Sequence, residues 1–527
     1  MLDVVIVGGG ASGLACCHRL LKHDPTLNIK ILEAKDRLGG RIFAKDLKVA
    51  DGTESYDLGG QWIGRSQIHA IRLLKEFDLS LYDQNYDGST VNILDKGTTF
   101  YTSSPLSLAF QSVYFAYDMI QGMKKIDEYS QEISIEEPLS HPRAKEWDNL
   151  PMSHAKQYLF KHQWSRKLLD IAFITMFGFD LNQASFLYVL LYAKCAGGMT
   201  VLIDDRFPGN AQESKVKGGM FKLIEKLKGA VGEEKILLNR RVTSIHNHVI
   251  DDQNGFCSIR TENTEEFQCK YVVMAVPPHL ISNIKMTPEL PTEHKRLLQF
   301  SNVGCLMKCI ATYKRKFWQE NGLSGMSLHW PYYAEERSIE HPVSITYDAT
   351  SCNGKPALVG FIGGSLIQKM RHLTEDKIKR AIINSFVLFF GDEAKEYIDI
   401  AFQDWSKVED NGGCPVTFTT PGAVSKYGDV CLRQPHLRTH FAGTETATLW
   451  RGFVSGAVQS GERAADEIIR RLDTSYVPKD IVRFEDILLS GAFTEQRNTY
   501  YILVGVASLS ILTFCGLSAY VVLKWNN

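Results

Sequence analysis

Hydrophobic positions change period several times along the chain, and each change predicts a different kind of element. Residues 2–7, Leu-Asp-Val-Val-Ile-Val, form a short, apolar, β-branched run, the pattern of a parallel strand buried on both faces. A glycine-rich stretch follows at once, and residues 14–21 then take helical spacing. Residues 28–32, Asn-Ile-Lys-Ile-Leu, return to the strand pattern, so the chain opens as strand, turn, helix, strand. Residues 86–225 are mostly helical in pattern, for example over 107–126 and 164–177. Strand patterns return over 303–313 and 357–362, followed by a helical stretch at 375–390. No internal repeat interrupts this order.

The far end reads differently. Residues 498–523 contain no charged side chain. A helix of about 20 residues crosses the ~30 Å hydrocarbon core of a bilayer, and this run is long enough. Tyr500, Tyr501, Tyr520 and Trp525 stand at its two ends, where aromatic rings favour the membrane interface. Gly505, Ser508, Ser510, Thr513, Gly516 and Ser518 dilute its hydrophobicity, which suits a buried core helix as well. A core helix rarely stays uncharged for so long at a terminus, so a membrane span over 500–523 is the expectation. Only residues 524–527 follow it, so it would insert after synthesis and leave the bulk of the chain on the cytosolic side. Residues 473–499 read as its linker. At the other end, Met1 leads straight into the first strand, and no secretory or transit segment is expected.

Composition narrows the class. A chain of 527 residues exceeds what one simple core accommodates, which predicts two interleaved folding units. Lys and Arg number 59 against 60 Asp and Glu, and this balance argues against a nucleic-acid binder. The 11 cysteines are scattered without C-x-x-C spacing, so neither a disulfide framework nor a zinc ribbon is expected. No metal-ligand cluster and no Ser-His-Asp arrangement stands out.

Candidate chemistry begins at Gly8-Gly9-Gly10-Ala11-Ser12-Gly13, a G-x-G-x-x-G placed between strand and helix. Gly8 suits the tight turn, Gly10 the approach of backbone to a pyrophosphate, and Gly13 close helix–strand packing. The helix N-terminus presents free N–H groups and partial positive charge to the phosphates. Glu33, at the end of the second strand, can accept both ribose hydroxyls of an adenosine. Arg37-Leu38-Gly39-Gly40-Arg41 and Asp57-Leu58-Gly59-Gly60-Gln61-Trp62 follow closely. Arginines and backbone amides there suit a second phosphate and a ligand longer than NAD, which points to FAD.

These motifs resemble the flavin-containing amine oxidases, the monoamine oxidases in particular. The likeness extends through Val272-Val273-Met274-Ala275-Val276-Pro277-Pro278, Phe441-Ala442-Gly443-Thr444-Glu445-Thr446-Ala447-Thr448, and Gly452-Phe453-Val454-Ser455-Gly456. It implies an α/β fold in which a Rossmann-type FAD-binding domain is built from residues 1–85, 226–290 and 396–472. An α+β substrate domain (86–225 and 291–395) would be interleaved with it, with the linker at 473–499 and a transmembrane tail at 500–523. The cofactor contacts it implies are Gly8, Gly10, Ser12, Gly13, Glu33, Lys35, Gly40, Arg41, Gly59, Gly60, Gln61, Trp62, Val242, Trp405, Cys414, Gly443, Thr444, Glu445 and Val454.

The resemblance also assigns chemistry. In Gly412-Gly413-Cys414 the Cys414 sulfur would form a thioether to the flavin 8α-methyl, with Trp405 upstream as a flavin contact. The alternative is a small buried thiol; the two glycines favour close approach to a ring. Lys308 interrupts the apolar run Val303-Gly304-Cys305-Leu306-Met307-Lys308-Cys309, where a charge is costly unless paired. The family's lysine here holds a water against flavin N5; a strand-end lysine reaching solvent is the alternative. The family also holds its amine between two tyrosine rings, and here those positions are Pro415 and Phe453. Ile203 and Gln212 are further pocket candidates by position, although ordinary packing or a solvated loop would explain them too.

The activity implied is oxidation of an amine to an imine and then an aldehyde, with O2 reduced to H2O2. Two other readings stay open. One is a polyamine oxidase, which Gln61-Trp62 resembles more. The other is a flavin-binding paralogue acting as a membrane-tethered binding protein, which the lost tyrosines make credible. The resemblance further implies a tail anchor in the mitochondrial outer membrane, with the endoplasmic reticulum as the alternative, and a homodimer.

Overall fold

Along the Leu2–Val7 strand, Val4 and Ile6 turn into one apolar cluster and Val5 and Val7 into another. A strand covered on both faces takes parallel neighbours, because helical crossovers must return over it. Ile29–Leu32 and Glu266–Met274 flank it, both parallel. The computed structural model describes residues 1–93, 99–102, 113–203, 209–249, 255–329, 338–429 and 432–478. Among them an eight-stranded sheet runs in the order Ile236–Leu237, Ile29–Leu32, Leu2–Val7, Glu266–Met274, Gly255–Thr261, Val242–Val249, Lys285–Thr287. Thr439–Phe441 is its eighth strand, parallel to Glu266–Met274, so strands from both ends of the chain meet here.

The Ala11–His23 helix leaves the first strand and packs on the Val454–Leu472 helix. A Cβ built on Gly461 would lie 2.1 Å from the carbonyl oxygen of Ser12, so the two helices touch backbone to backbone. Arg19 Nε donates to Asp466 at 2.9 Å further along the same contact. The Tyr476 hydroxyl also donates to Asp466, at 2.8 Å. This ties down residues 473–478 of the expected linker. The rest of that linker and the expected span over 500–523 lie outside the described residues. Among the described residues no helix is long and apolar enough to cross a membrane.

A seven-stranded sheet runs in the order Asp399–Asp404, Leu306–Thr312, Ala357–Gly363, Ile345–Asp348, Leu323–His329, Ser89–Ile93, Thr99–Thr102. Met307, Cys309 and Ala311 turn to one face, where Ile382 and Phe386 of the Glu375–Phe390 helix cover them. Leu306 and Ile310 turn to the other, toward Trp405 and Cys414. The strand expected over 303–313 is therefore two. Ser301–Val303 pairs with Thr417–Thr419, and Leu306–Thr312 enters the sheet only after Gly304 and Cys305. A Cβ on Gly304 would stand 1.9 Å from the carbonyl oxygen of Phe177. The chain turns at that contact although its apolar character continues, so periodicity alone could not locate the break.

The helical region lies where its spacing predicts. The helix expected over 107–126 is found at Val113–Glu132, and residues 103–112 lie outside the described residues. Gln163–Phe177 is closed by His162, whose side chain accepts from the Trp164 N–H, and by Gly178 in the left-handed region. Phe186–Ala196 is apolar and buried on nearly every side, with half-buried Lys194 in its last turn, and forms the axis of the largest apolar cluster. Among the described residues the cysteines are free thiols.

Gly461→Ala tests the helix contact. Alanine favours a helix by about 1 kcal/mol over glycine, but overpacking against fixed backbone costs about 1–3 kcal/mol. The expected outcome is a lower thermal midpoint, and a raised one would show that the two helices stand further apart.

Candidate active site

Residues from both sheets line a cavity of about 880 Å3, ample for a large cofactor with a small substrate beside it. One end is built by the turn after the first strand. Gly8 holds φ at +106°, and a Cβ there would meet the Ala275 carbonyl oxygen at 2.7 Å. A Cβ on Gly13 would lie 2.0 Å from the Gly8 carbonyl oxygen. Protein packing thus requires both glycines. Gly10, Gly40 and Gly60 differ, because the nearest protein atoms to a Cβ there lie at 4.0, 3.5 and 3.7 Å. These three line the cavity, and side chains would fill the space beside the Ala11–His23 helix N-terminus.

Glu33 is buried beside this turn. Its carboxylate accepts from the Gly9 N–H at 2.6 Å and the Lys35 N–H at 3.0 Å, leaving lone pairs over for a ligand's hydroxyls. Burial pushes its carboxyl up, against the pull of those two N–H groups. Burial also draws Lys35 down to about 8, and its ammonium donates to Asn411 Oδ1. Val242 lines the same end, next to Arg240 and Arg241. Arg37 does not fit the phosphate role expected for it. Its guanidinium donates to the carbonyls of Leu38, Gly40 and Ile42 and lies 4.6 Å over the Phe43 ring, so it braces its own loop.

Arg41 lines the cavity and joins its two ends. It donates to Glu445 at 2.7 and 3.1 Å and to the Pro415 carbonyl at 2.8 Å. Burial works to raise the Glu445 carboxyl, but Arg41 and the Thr417 N–H outweigh it and hold it below the usual range. Ser12 accepts from the Gly443 N–H at 2.9 Å, closing the wall from the C-terminal side.

Lys308 stands at the other end. Strand alternation puts it on the same face as Leu306 and Ile310, turned into the cavity rather than to solvent, and it is 3% exposed. Its Nζ donates to the Gly59 carbonyl at 3.0 Å and Gln61 Oε1 at 2.5 Å, with the Trp62 and Phe361 rings at 5.7 and 5.8 Å. Burial lowers it to about 7, and Asp57 is the strongest charge opposing that fall. Trp405 is fixed by donation from Nε1 to the Leu58 carbonyl at 3.1 Å. Cys414 is a buried thiol whose Sγ lies 3.9 Å from the Leu306 carbonyl oxygen, and burial pushes it above its ordinary range.

The glycines before Cys414 have a different reason from the one expected. A Cβ on Gly412 would strike His279 Nε2 at 2.6 Å, and one on Gly413 the Gly304 carbonyl oxygen at 2.3 Å. They serve approach of protein to protein, not of backbone to a ring.

The cavity collects the candidate residues from across the chain. Gly8, Gly10, Ser12, Glu33, Lys35, Gly40, Arg41, Gly59, Gly60, Gln61, Trp62, Val242, Trp405, Cys414, Gly443, Thr444 and Val454 all line it, as do Lys308, Pro415, Phe453, Ile203 and Gln212. Gly13 and Glu445 stand behind its wall. Ile203 also packs against the largest apolar cluster, and Gln212 Oε1 is buried with no protein partner among the described residues. Sequence reasoning missed Tyr192, Tyr347 and Phe361, which line the same end. Tyr192 lies 6.1 Å from the Phe453 ring, and its hydroxyl is so close to Gly452 that a Cβ there would stand 2.3 Å away. Nothing local marks Tyr192, which stands in the apolar run 186–193 of its helix.

A glycine-lined helix N-terminus, a buried carboxylate with spare lone pairs, and a far end walled by tryptophan, lysine and thiol fit the length and chemistry of FAD. Comparison with known proteins agrees. The family model of flavin containing amine oxidoreductases matches residues 11–469. A flavin-containing amine oxidase A from Equus caballus is 33% identical over 480 residues, covering 90% of this chain and 86% of that one. Putrescine oxidase bound to putrescine superposes with a TM-score of 0.79 at 27% identity, over 89% of this chain and 99% of that one. Cyclohexylamine oxidase from Brevibacterium oxydans gives 0.79 at 27%, over 90% and 99%. With nearly the whole described chain matched in sequence and in fold, this protein belongs to the flavin-containing amine oxidoreductases.

Proposed function

We propose that this chain oxidises amines that carry a single amino group on an apolar body. The observation that carries this reading is the placing of charge around the cavity. Its described carboxylates, Glu33 and Asp410, belong to the end near the glycine turn, and Asp410 is paired with Arg241 at 2.7 Å. Met119, Met123, Ile171, Met176 and Leu328 make much of the remaining wall apolar, and its polar members, such as Asn92, Thr200 and Gln212, carry no negative charge. A second ammonium buried there would have no counter-charge among the described residues, at a cost of several kcal/mol. This favours a monoamine over a polyamine.

FAD, when bound, would supply the acceptor for the hydride from the amine's α-carbon and return the electrons to O2 as H2O2. The protein's part is to desolvate and orient the amine. Phe453 offers one ring face, Tyr192 stands beside it, and Trp62, Tyr347 and Phe361 crowd the side of Lys308. Pro415 offers no aromatic ring, and its carbonyl is tied to Arg41, so the amine would be steered from one side only. Lys308 carries a movable proton near neutral pH and serves the oxygen half of the cycle. Cys414 is read as the thioether link, Ile203 and Gln212 as pocket wall, and the remaining lining candidates as FAD contacts. The same reading takes residues 1–85, 226–290 and 396–472 as the FAD-binding domain and 86–225 and 291–395 as the substrate domain. The uncharged run 498–523 supports a tail anchor, which we place in the mitochondrial outer membrane, and the family resemblance supports a homodimer.

A peroxide assay separates the readings. Arylalkylamines are expected to exceed putrescine in kcat/KM by about a hundredfold, the equivalent of roughly 3 kcal/mol. Comparable turnover of putrescine would favour a polyamine oxidase, and peroxide from no amine, with flavin bound, would favour the binding protein.

Acid precipitation of the wild-type protein should carry yellow flavin into the pellet, and Cys414→Ala should release it to the supernatant. Complete release from the wild type would remove the thioether.

A chain ended at Arg497 should leave the membrane fraction that the full chain occupies through alkaline extraction. Equal retention of both would assign anchoring to another segment.

A further inference from the structure

Gln61 belongs to the walls of two cavities. One is the large cavity that holds Lys308; the other is a chamber of about 30 Å3 lined also by Tyr56, Asp57, Tyr82, Lys215 and Cys352. That volume exceeds the ~10–15 Å3 that one ordered water needs. Because Gln61 Oε1 accepts from Lys308, its Nε2 must be the donor left over, and it has no protein partner among the described residues. Asp57 Oδ1 is likewise buried without a protein partner. Its other oxygen accepts from the Met220 N–H at 2.8 Å, at the N-terminus of the Phe221–Val231 helix, and burial raises its carboxyl against the pull of Lys308, the Met220 and Phe221 N–H groups and Lys215. A buried donor and a buried acceptor, each 5–8% exposed, thus border one chamber with room for a water between them.

We propose that Asp57 is a positioning residue for Lys308, acting through Gln61 and a water in this chamber to supply the counter-charge that keeps the buried ammonium protonated and aimed into the cavity. The inference rests on the reading of Lys308 as the group serving flavin reoxidation, in which two electrons and two protons pass to O2 as H2O2. Around Lys308 the other ionisable groups are Lys215, Cys414 and Cys309, and Lys215 works against its charge. Around the chamber stand Tyr56 and Tyr82, both raised by burial, Cys352, and Lys215, which burial lowers to about 8. Asp348 also faces this region, but its carboxylate accepts from Trp318 Nε1 at 3.0 Å and the Thr350 N–H at 2.7 Å. Among the described residues Lys215 donates to the Asp348 backbone carbonyl, at 3.3 Å. Glu54 lines the chamber as well, but Asn353 Nδ2 donates to its two oxygens at 3.0 and 3.2 Å. Asp57 is therefore the carboxylate with a spare oxygen left for Lys308.

Opposite signs follow for two substitutions. Asp57→Asn keeps an acceptor for the Met220 N–H but removes the negative charge, so Lys308 should lose its proton at lower pH, by about one unit. Lys215→Gln removes a like charge and should move the same event to higher pH. Two readouts are measured on the full, flavin-loaded chain between pH 5.5 and 9. One is trace acetylation of Lys308 by acetic anhydride, read by mass spectrometry; the other is the rate of reoxidation of pre-reduced flavin by O2. Shifts of both midpoints downward in Asp57→Asn and upward in Lys215→Gln, with Asp57→Glu returning toward wild type, are expected. Midpoints unmoved in Asp57→Asn overturn the inference. If that variant does not fold, an unmoved midpoint in Lys215→Gln overturns it instead. A reoxidation midpoint that survives Lys308→Met overturns the underlying reading of Lys308 rather than the pairing, which the acetylation midpoint still decides.

Discussion

The contact of Ser12 with the C-terminal part of the chain is the constraint on which the cavity depends. Its hydroxyl accepts from the Gly443 N–H and lies 3.1 Å from the Ser460 hydroxyl, and its carbonyl oxygen lies against Gly461. One residue of the first helix thus fixes both the exit from the Thr439–Phe441 strand and the Val454–Leu472 helix. Without that contact the glycine turn and the Gly443–Val454 stretch would be two separate surfaces. With it they are one wall, and every side chain placed on the wall inherits its position. The pair of half-buried Arg41 with buried Glu445 carries the same closure toward Pro415 and Cys414. Such a pair is costly to break because Glu445 alone would be a buried, uncompensated charge.

Charge at the reacting end is handled differently. Lys308 lies on a strand whose other residues are buried, and its ammonium reaches only a carbonyl, an amide oxygen and two ring faces directly. Low polarity depresses its proton affinity into the range where small electrostatic changes alter its state. Such a lysine is poorly suited to hold a fold together, since its charged form is the one burial disfavours. It is well suited to carry a proton beside a group whose charge changes. The apolar walls serve the same end, because an amine must shed its own proton and its water before its α-carbon can be oxidised.

Substitution at the two expected ring positions does not leave the site open. Phe453 keeps its ring as the cap of the Val454–Leu472 helix, and its carbonyl accepts from the Thr444 hydroxyl at 2.9 Å. Tyr192 approaches it from the helical layer, packed on Phe177 at 4.6 Å. A ring and a hydroxyl are therefore still present beside Phe453, supplied by a different element, while the side of Pro415 has only a saturated ring. That asymmetry is a property of this chain and bears on which amines it admits.

Periodicity and turn chemistry are local, and what they govern was legible in the sequence. The β-branched run at 2–7, the glycines at 8 and 13 and the helix at Gln163–Phe177 follow from neighbours a few residues apart. The family's motifs added which separated segments come together at the cavity, because each motif carries its own turn geometry. What tertiary structure alone decided are contacts between residues more than a hundred positions apart. The break at Gly304 is set by Phe177, and the glycines at 412 and 413 by His279 and Gly304. Tyr192 carries no local mark, because a tyrosine in an apolar helix occurs in any protein, and the motif that Asp57 heads does not by itself link it to Lys308. Their meaning lies in the cavity each one borders, and a cavity has no position along the chain.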